Sequence, residues 1–232
     1  MIQLPPAFGL PVSVSPYCTK VEVYFRLTGR EYRTTADGLR KSPNSKVPYV
    51  RLADGTCMAE SDDIIAHFEK QGSALDGGLD EADRKRGRAL VVSVERVLYY
   101  ACLYARFGDA GGWAHQKPLV RGLVPWILSP LLVPLIRSSQ VKLCRSHGFA
   151  DDSGYEKAFE VIGEVAAMLG DKPFLLGDDP HTADCAVWAN VMQIAYTKSP
   201  NPGRERVRGD EALMGYVARM AERASLTLPG LS

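Results

Sequence analysis

The sequence predicts a small α+β domain, a mixed sheet carrying helices, followed by an all-helical domain. Three observations lead there. Extended and helical patterns alternate over the N-terminal third, apolar spacing beyond residue 83 is helical only, and a Gly-rich, acidic stretch from Gly72 to Asp83 separates the two regimes. At 232 residues the chain is longer than one usual domain, so a two-domain division is natural. The cut gives an N-terminal unit of residues 1–76 and a C-terminal unit of residues 83–232.

Gln3 to Val14 reads as a strand running into a proline-rich loop. Thr19 to Thr28 reads as a helix with Val21, Tyr24, Phe25 and Thr28 on one face and Gly29 as its stop. Glu31 to Thr35 is a second strand. Pro48 to Leu52 and Thr56 to Ala59 flank Ala53-Asp54-Gly55, a hairpin turn signal. Ser61 opens a helix with Ile64, Ile65 and Phe68 inward, ended by Gly72. Strands and helices in this order build a small mixed sheet with helices on it.

Beyond the junction, Arg84 to Phe107 carries an apolar stripe at Leu90, Val91, Val94, Val97, Leu98, Ala101 and Cys102, which is helical spacing. Tyr155, Phe159, Ile162, Ala166 and Leu169 step by four and three, closed by Gly170. Further helices run from Thr182 to Tyr196 and from Asp210 to Ala224, the latter with Leu213, Tyr216, Val217 and Met220 on one side. The sequence has no internal repeat.

Composition excludes several functions. With 46% hydrophobic and 24% charged residues and a net charge of +1, the chain has no basic field for nucleic acid. Its five cysteines, at 18, 57, 102, 144 and 185, form no Cys-x-x-Cys pair. That argues against a disulfide framework or a zinc site and for a reducing compartment. His67, His115, His147 and His181 are isolated, so no metal is expected. Without a basic n-region, and with Pro5, Pro6 and Pro11, the N-terminus reads as a poor signal peptide, and a cytoplasmic location is expected. Leu119 to Ile136 is apolar, but Pro125, Pro130 and Pro134 each remove a helical hydrogen bond that lipid cannot replace. It reads as an irregular, buried or partly exposed segment of the helical domain. Membrane contact is the alternative and is not expected.

Three short motifs carry the chemistry. In Ser15-Pro16-Tyr17-Cys18 the serine falls at a strand-to-helix turn. It reads either as a helix cap or as a hydroxyl donor to a ligand thiolate at the positive end of the helix. Ser13 is an alternative donor. Cys18 is a further thiol contact or a buried filler, and without a cysteine at position 15 it cannot form a local dithiol pair. Val47-Pro48 opens an extended run. A cis bond there has a base rate of only about 5–6%, but a proline at the start of a strand opposite a Ser-x-x-Cys turn is where thioredoxin-like folds place one. It would aim the Val47 backbone at a bound peptide. Glu60-Ser61 starts a helix; Ser61 reads as its N-cap, or as the holder of a ligand carboxylate with Glu60 meeting an amine, provided Asp62 and Asp63 point away. Tyr99, Tyr100 and Tyr104 of the long helix, with Trp113, are either core or the lining of a second, apolar pocket.

These residues resemble a glutathione transferase. Ser-Pro-Tyr-Cys-Thr-Lys-Val, Ser-Lys-Val-Pro-Tyr-Val and Ala-Glu-Ser-Asp-Asp-Ile-Ile follow that family's N-terminal domain in order, and Gly-Asp-Lys-Pro-Phe-Leu-Leu-Gly-Asp-Asp-Pro-His-Thr-Ala-Asp-Cys is similar to its entry to a central buried helix. The branch resembled is the one that includes metaxin-like and failed-axon-connections proteins. The resemblance implies a thioredoxin-like domain followed by an all-helical one, commonly a homodimer. It implies glutathione lying against Ser15, Val47, Pro48, Glu60 and Ser61, with a small electrophile in a pocket near Tyr100, Tyr104 and Trp113. At the helix entry the family usually has Ser or Thr where this chain has His181, leaving Asp184 to serve the cap. The reading is therefore an enzyme that transfers the glutathione thiolate to an electrophile. A non-catalytic interaction protein that meets a partner or membrane through residues 119–136 is the rival. Glutathione-dependent reduction or isomerisation is a third.

Overall fold

The computed structural model describes residues 1–44, 46–72, 74–151 and 153–230. Ser45, which begins the second motif, lies outside them. Helix α1 spans Pro16–Leu27 and α2 spans Ser61–Glu69, with strands β1 (Tyr49–Arg51) and β2 (Cys57–Ala59) between them. The strands pair antiparallel, Val50 opposite Met58. Their hairpin turns as its sequence requires: the Asp54 carboxylate accepts from the Thr56 N–H at 2.8 Å, and Gly55 takes φ +87°.

The strand expected to lead from Gln3 into the proline-rich loop and the one expected at 31–35 shrink to isolated bridges, Pro6 with Ser13 among them. Ile2 pairs antiparallel with Tyr49 and parallel with Thr35, which places the chain start between Thr35 and β1. Pro5, Pro6 and Pro11 have no N–H to extend that ladder. Helix α1 also begins three residues earlier than its apolar spacing indicates, at Pro16, because proline suits the first helical position. Gly29 ends it at φ +64°.

The C-terminal part is helical: α3 Glu81–Phe107, α4 Ala110–Gly122, α5 Ser129–Ser146, α6 Ser153–Leu169, α7 Thr182–Tyr196, α8 Arg204–Arg208 and α9 Glu211–Arg223. This is the expected architecture, an α+β unit followed by an all-helical one. Segment 119–136 is a correction. It is largely helical, with Pro130 in the first turn of α5 and Pro134 inside it, and it is mostly exposed. Gly112 lets α4 fold back on α3, since a Cβ there would sit 1.6 Å from the Ala105 carbonyl oxygen.

Helix α7 is the axis. Every residue from Ala183 to Tyr196 is buried, and α1 of the N-terminal part packs on it from one side and α3 from another. Its entry is held by carboxylates. Asp184, wholly buried, accepts from the His181 N–H at 2.8 Å and the Leu175 N–H at 3.0 Å. The His181 ring lies 2.7 Å from the Leu75 carbonyl. Asp76 accepts from both the N–H (2.9 Å) and the hydroxyl (2.6 Å) of Thr182, so the segment joining the two parts of the chain supplies a second cap.

The expected cost of Asp184→Ala is therefore more than one cap. Two buried N–H groups lose a carboxylate, about 2–4 kcal/mol, or roughly 4–16 °C in melting temperature for a chain of this size. Thermal unfolding of the variant checks this; a melting temperature within about 1 °C of wild type contradicts the placement of this cap.

Candidate functional site

The site is built on the turn before α1. Ser15 occupies the N-cap position in extended backbone (φ −93°, ψ 122°), yet its side chain makes no capping hydrogen bond. Its hydroxyl, on a half-buried residue, is not consumed by the helix it precedes. Pro16 carries no N–H, and Thr19 is the first amide taken up, by the Ser15 carbonyl at 3.0 Å. The Tyr17 and Cys18 amides have no helical acceptor and sit at the positive end of α1.

The other two candidate thiol contacts present no surface. Ser13 and Cys18 are both 0% exposed. The Ser13 hydroxyl accepts from the Ser15 N–H at 3.2 Å. Burial pushes the Cys18 thiol up, against the Ser15 hydroxyl, the Leu4 backbone and the Ser13 hydroxyl, which favour its ionised form. It stays a thiol, packed beneath the turn.

A polar network from the helical part fixes that turn. Arg106 of α3 is buried, and its guanidinium donates to the Val14 carbonyl and to the Gln193 side-chain oxygen, each at 2.8 Å. Gln193 of α7 in turn donates to the Ser13 carbonyl (3.2 Å), which also accepts from the Thr19 hydroxyl at 2.9 Å. Among the described residues no carboxylate pairs with Arg106. Burial lowers its pKa, and the charge is held by these two oxygens and by the face of the Phe8 ring, 5.5 Å away. These residues escaped the sequence reading, though a signal was present. Arg106 continues the inward steps of Leu98 and Cys102, and Gln193 interrupts a nearly apolar helix. A polar group on a buried face needs a partner.

The second motif enters through a cis Val47–Pro48 bond. No loop or turn hydrogen bond among the described residues uses the Val47 N–H or C=O. At the third motif the structure corrects the helix start. Ser61 is not the N-cap but the first residue of α2; Glu60 is the cap, at φ 65° and ψ 123°, and its side chain does not cap. A non-glycine residue there is strained by about 1–3 kcal/mol. The Asn44 amide donates to the Glu60 carboxylate at 2.6 Å, which joins the loop before Val47 to the start of α2. The amides of Ser61, Asp62 and Asp63 precede the first helical bond, Ile64 N–H to Glu60 carbonyl at 3.0 Å, and form an anion-accepting helix end. Asp62 does not block it, being ion-paired to Lys20, which also meets Glu95 at 2.8 Å. Burial lowers the Lys20 pKa, but Glu95 and Asp62 outweigh it, so the ammonium titrates above its ordinary value.

The aromatic candidates separate. Tyr17 packs on Tyr99 at 4.9 Å, Tyr99 on Tyr100 at 5.0 Å, and Tyr100 stacks on His147 at 3.7 Å, a row leading away from the turn. Tyr99 is pushed up to about 12, chiefly by burial. Tyr17, within the Ser15–Cys18 motif, thus begins this row. Tyr104 donates to the Ala150 carbonyl at 3.0 Å. Trp113 packs with Phe107, Val120 and Val133 in a satellite core, beneath Arg137. It does not share the row. Two clefts, of about 780 and 710 Å³, lie elsewhere, and neither is lined by Ser15, Val47, Pro48, Glu60 or Ser61. Among the described residues no group of His, Cys, Asp and Glu is arranged to hold a metal ion.

The chain that carries this turn, the cis-proline and the second helix start is similar to known proteins in sequence and fold. Residues 16–111 match the glutathione S-transferase N-terminal domain, and residues 158–220 match the glutathione S-transferase C-terminal domain. The chain belongs to the glutathione S-transferase family. It is 28% identical over 233 residues to the isoprene-epoxide–glutathione S-transferase of a Rhodococcus strain, covering 94% of this chain and 95% of that one. It is 27% identical over 230 residues to Failed axon connections of Drosophila melanogaster, covering 91% of this chain but 54% of the relative. A glutathione S-transferase domain-containing protein from Marinobacter aquaeolei shares the fold with a TM-score of 0.60 at 22% identity, covering 93% of this chain and 98% of that one.

This transferase fold should depend on Gln193. Gln193→Leu leaves the buried Arg106 charge one acceptor short and removes one of the two donors to the Ser13 carbonyl, at a cost of about 2–4 kcal/mol. The melting temperature should fall by roughly 4–16 °C. Thermal unfolding within about 1 °C of wild type would show that the network contributes little.

Proposed function

We propose that the protein binds glutathione across the starts of α1 and α2 and transfers its sulfur to an electrophilic carbon. The observation that carries this reading is the Ser15 hydroxyl, spent on no cap and set beside two amides with no helical acceptor. It donates to the thiolate; the backbone of Val47, before Pro48, docks the peptide; Ser61 and the first amides of α2 take the carboxylate, and Glu60 meets the amine. In the transfer the sulfur–carbon bond forms as the carbon's bond to its leaving group breaks. When the electrophile is an epoxide, as for the Rhodococcus relative by its name, a ring C–O bond opens and the alkoxide takes a proton from water. The Tyr17–Tyr99–Tyr100 row offers the electrophile an aromatic surface. The reading includes a homodimer. A non-catalytic role is the second reading, supported by the likeness to Failed axon connections.

Ser61 separates binding from folding. Because its side chain is not the helix cap, Ser61→Ala should cost less than the about 1 kcal/mol typical of a lost cap. It should still lower glutathione affinity roughly tenfold to a hundredfold through one lost charge-assisted hydrogen bond. Calorimetric titration reads both wild type and variant, and no binding by the wild type defeats the reading.

Ser15 separates binding from activation. A hydrogen bond to the thiolate lowers the bound thiol's pKa by roughly one to two units. Removing it in Ser15→Ala raises that pKa, so the thiolate fraction at neutral pH falls roughly eightfold to twenty-five-fold. The rate deficit then shrinks as pH rises above the thiol's ordinary value of about 8.5. Conjugation rates to an aromatic electrophile against pH, for wild type, Ser15→Ala and Ser13→Ala, should show this loss for Ser15→Ala alone. A pH-dependent loss in Ser13→Ala instead would assign the role to the other hydroxyl.

A further inference from the structure

We propose that the outer face of α4 and α5 is a docking surface for an anionic lipid bilayer, which it meets in the plane of the interface. The inference is independent of the thiol site. Two distributions along the chain coincide. Of the eight exposed large hydrophobic residues among the described ones, seven (Leu123, Trp126, Ile127, Leu128, Leu131, Leu135 and Leu143) fall within residues 123–143. Residues 110–150 contain five lysines and arginines and no aspartate or glutamate, in a chain whose total charge is only +1.

The geometry makes one face of these residues. The turn between α4 and α5 presents Trp126 and Ile127 at 79% and 69% exposure. Along α5, Leu131, Leu135, Ser138 and Lys142 step by four, three and four residues and are all exposed, one stripe of the helix. Lys117, Arg121 and Arg145 are exposed as well. Arg137 faces inward, donating to the Phe107 and Gly108 carbonyls, and so fastens α5 to the body of the protein with the apolar stripe outward. An apolar stripe with tryptophan at one end and cations along it is the pattern of helices that lie in an anionic interface. Monomeric soluble surfaces seldom cluster apolar side chains in this way.

The charge also selects among occupants. A second copy joined through this face by a two-fold axis would set it against itself, bringing like charges together without an acidic residue between 110 and 150 to offset them. No helix among the described residues is long and apolar enough to cross a membrane. The contact proposed is with the surface.

The full chain is floated with vesicles of equal parts phosphatidylcholine and phosphatidylglycerol, or of phosphatidylcholine alone. It should bind the anionic vesicles, and raising the salt to about 1 M, where charges are screened beyond about 3 Å, should weaken binding. Lys142→Ser should lower affinity roughly fivefold. Trp126→Ser combined with Ile127→Ser and Leu131→Ser should lower it a hundredfold or more (roughly, from the apolar area lost), with the melting temperature unchanged because all three are exposed. Tryptophan emission of the wild type should shift to shorter wavelength on binding, and Trp126→Phe should lose that shift while still floating. Failure to bind anionic vesicles, equal binding to both vesicle types, or undiminished binding by the triple variant overturns the proposal. So does a dimer, seen by sedimentation velocity, that the triple variant converts to monomer, which would give the face to a second copy.

Discussion

A buried guanidinium without a carboxylate is the constraint on which the rest of this structure turns. Arg106 is taken out of water between the two parts of the chain, and what holds it are the Val14 carbonyl and the Gln193 amide oxygen. Such a charge is tolerable only while its acceptors stay in place. Satisfying it therefore dictates where α3, α7 and the 13–15 turn lie relative to one another. The functional consequence is local. The Ser13 and Val14 carbonyls just before Ser15 are fixed, so the hydroxyl is presented at the start of α1 by a pinned turn. Preorganised donors of this kind are what thiolate stabilisation requires.

The same logic governs the entry to α7. Fourteen consecutive buried residues make that helix the core of the protein, and its first turn must find acceptors without water. Asp184 supplies one from within the helix and Asp76 another from the junction. Burial raises the Asp184 pKa, opposed by the His181 and Leu175 N–H groups it accepts from. The α+β part is thereby held by α7 at two places, through Asp76 at the junction and through Gln193 at the site. Glu60, one of three described non-glycine residues at positive φ with Phe8 and Ser225, turns the chain so that the first amides of α2 stay open.

Much of this was legible in the sequence. Apolar periodicity located α3, α6 and α9 to within a few positions, because buried faces leave a regular trace, and the expected helix at about Thr182 to Tyr196 is α7. The three motifs marked the turns correctly, since proline, serine and glycine report backbone geometry directly. What was not legible follows from two causes. Strands at 3–14 and 31–35 were overestimated because extended patterning does not reveal whether a partner is present to pair with. Helices α4 and α5 were missed because Pro125, Pro130 and Pro134 read as breaks, whereas Pro125 falls between the two helices, Pro130 in the first turn of α5, and α5, packed on α3, tolerates Pro134. The capping serine at 61 proved to be one residue inside the helix, and Arg106 and Gln193 show their role only when the fold brings residues 87 positions apart into contact.

The central claim is that the turn at Ser15 ionises the sulfur of bound glutathione. Ultraviolet difference absorption of the thiolate, titrated against pH with the protein saturated by glutathione, measures the pKa of the bound thiol directly. The account predicts a value roughly one to two units below the ordinary thiol value of about 8.5, returning toward it in Ser15→Ala. A bound thiol that titrates with the free one in the wild-type protein would contradict it.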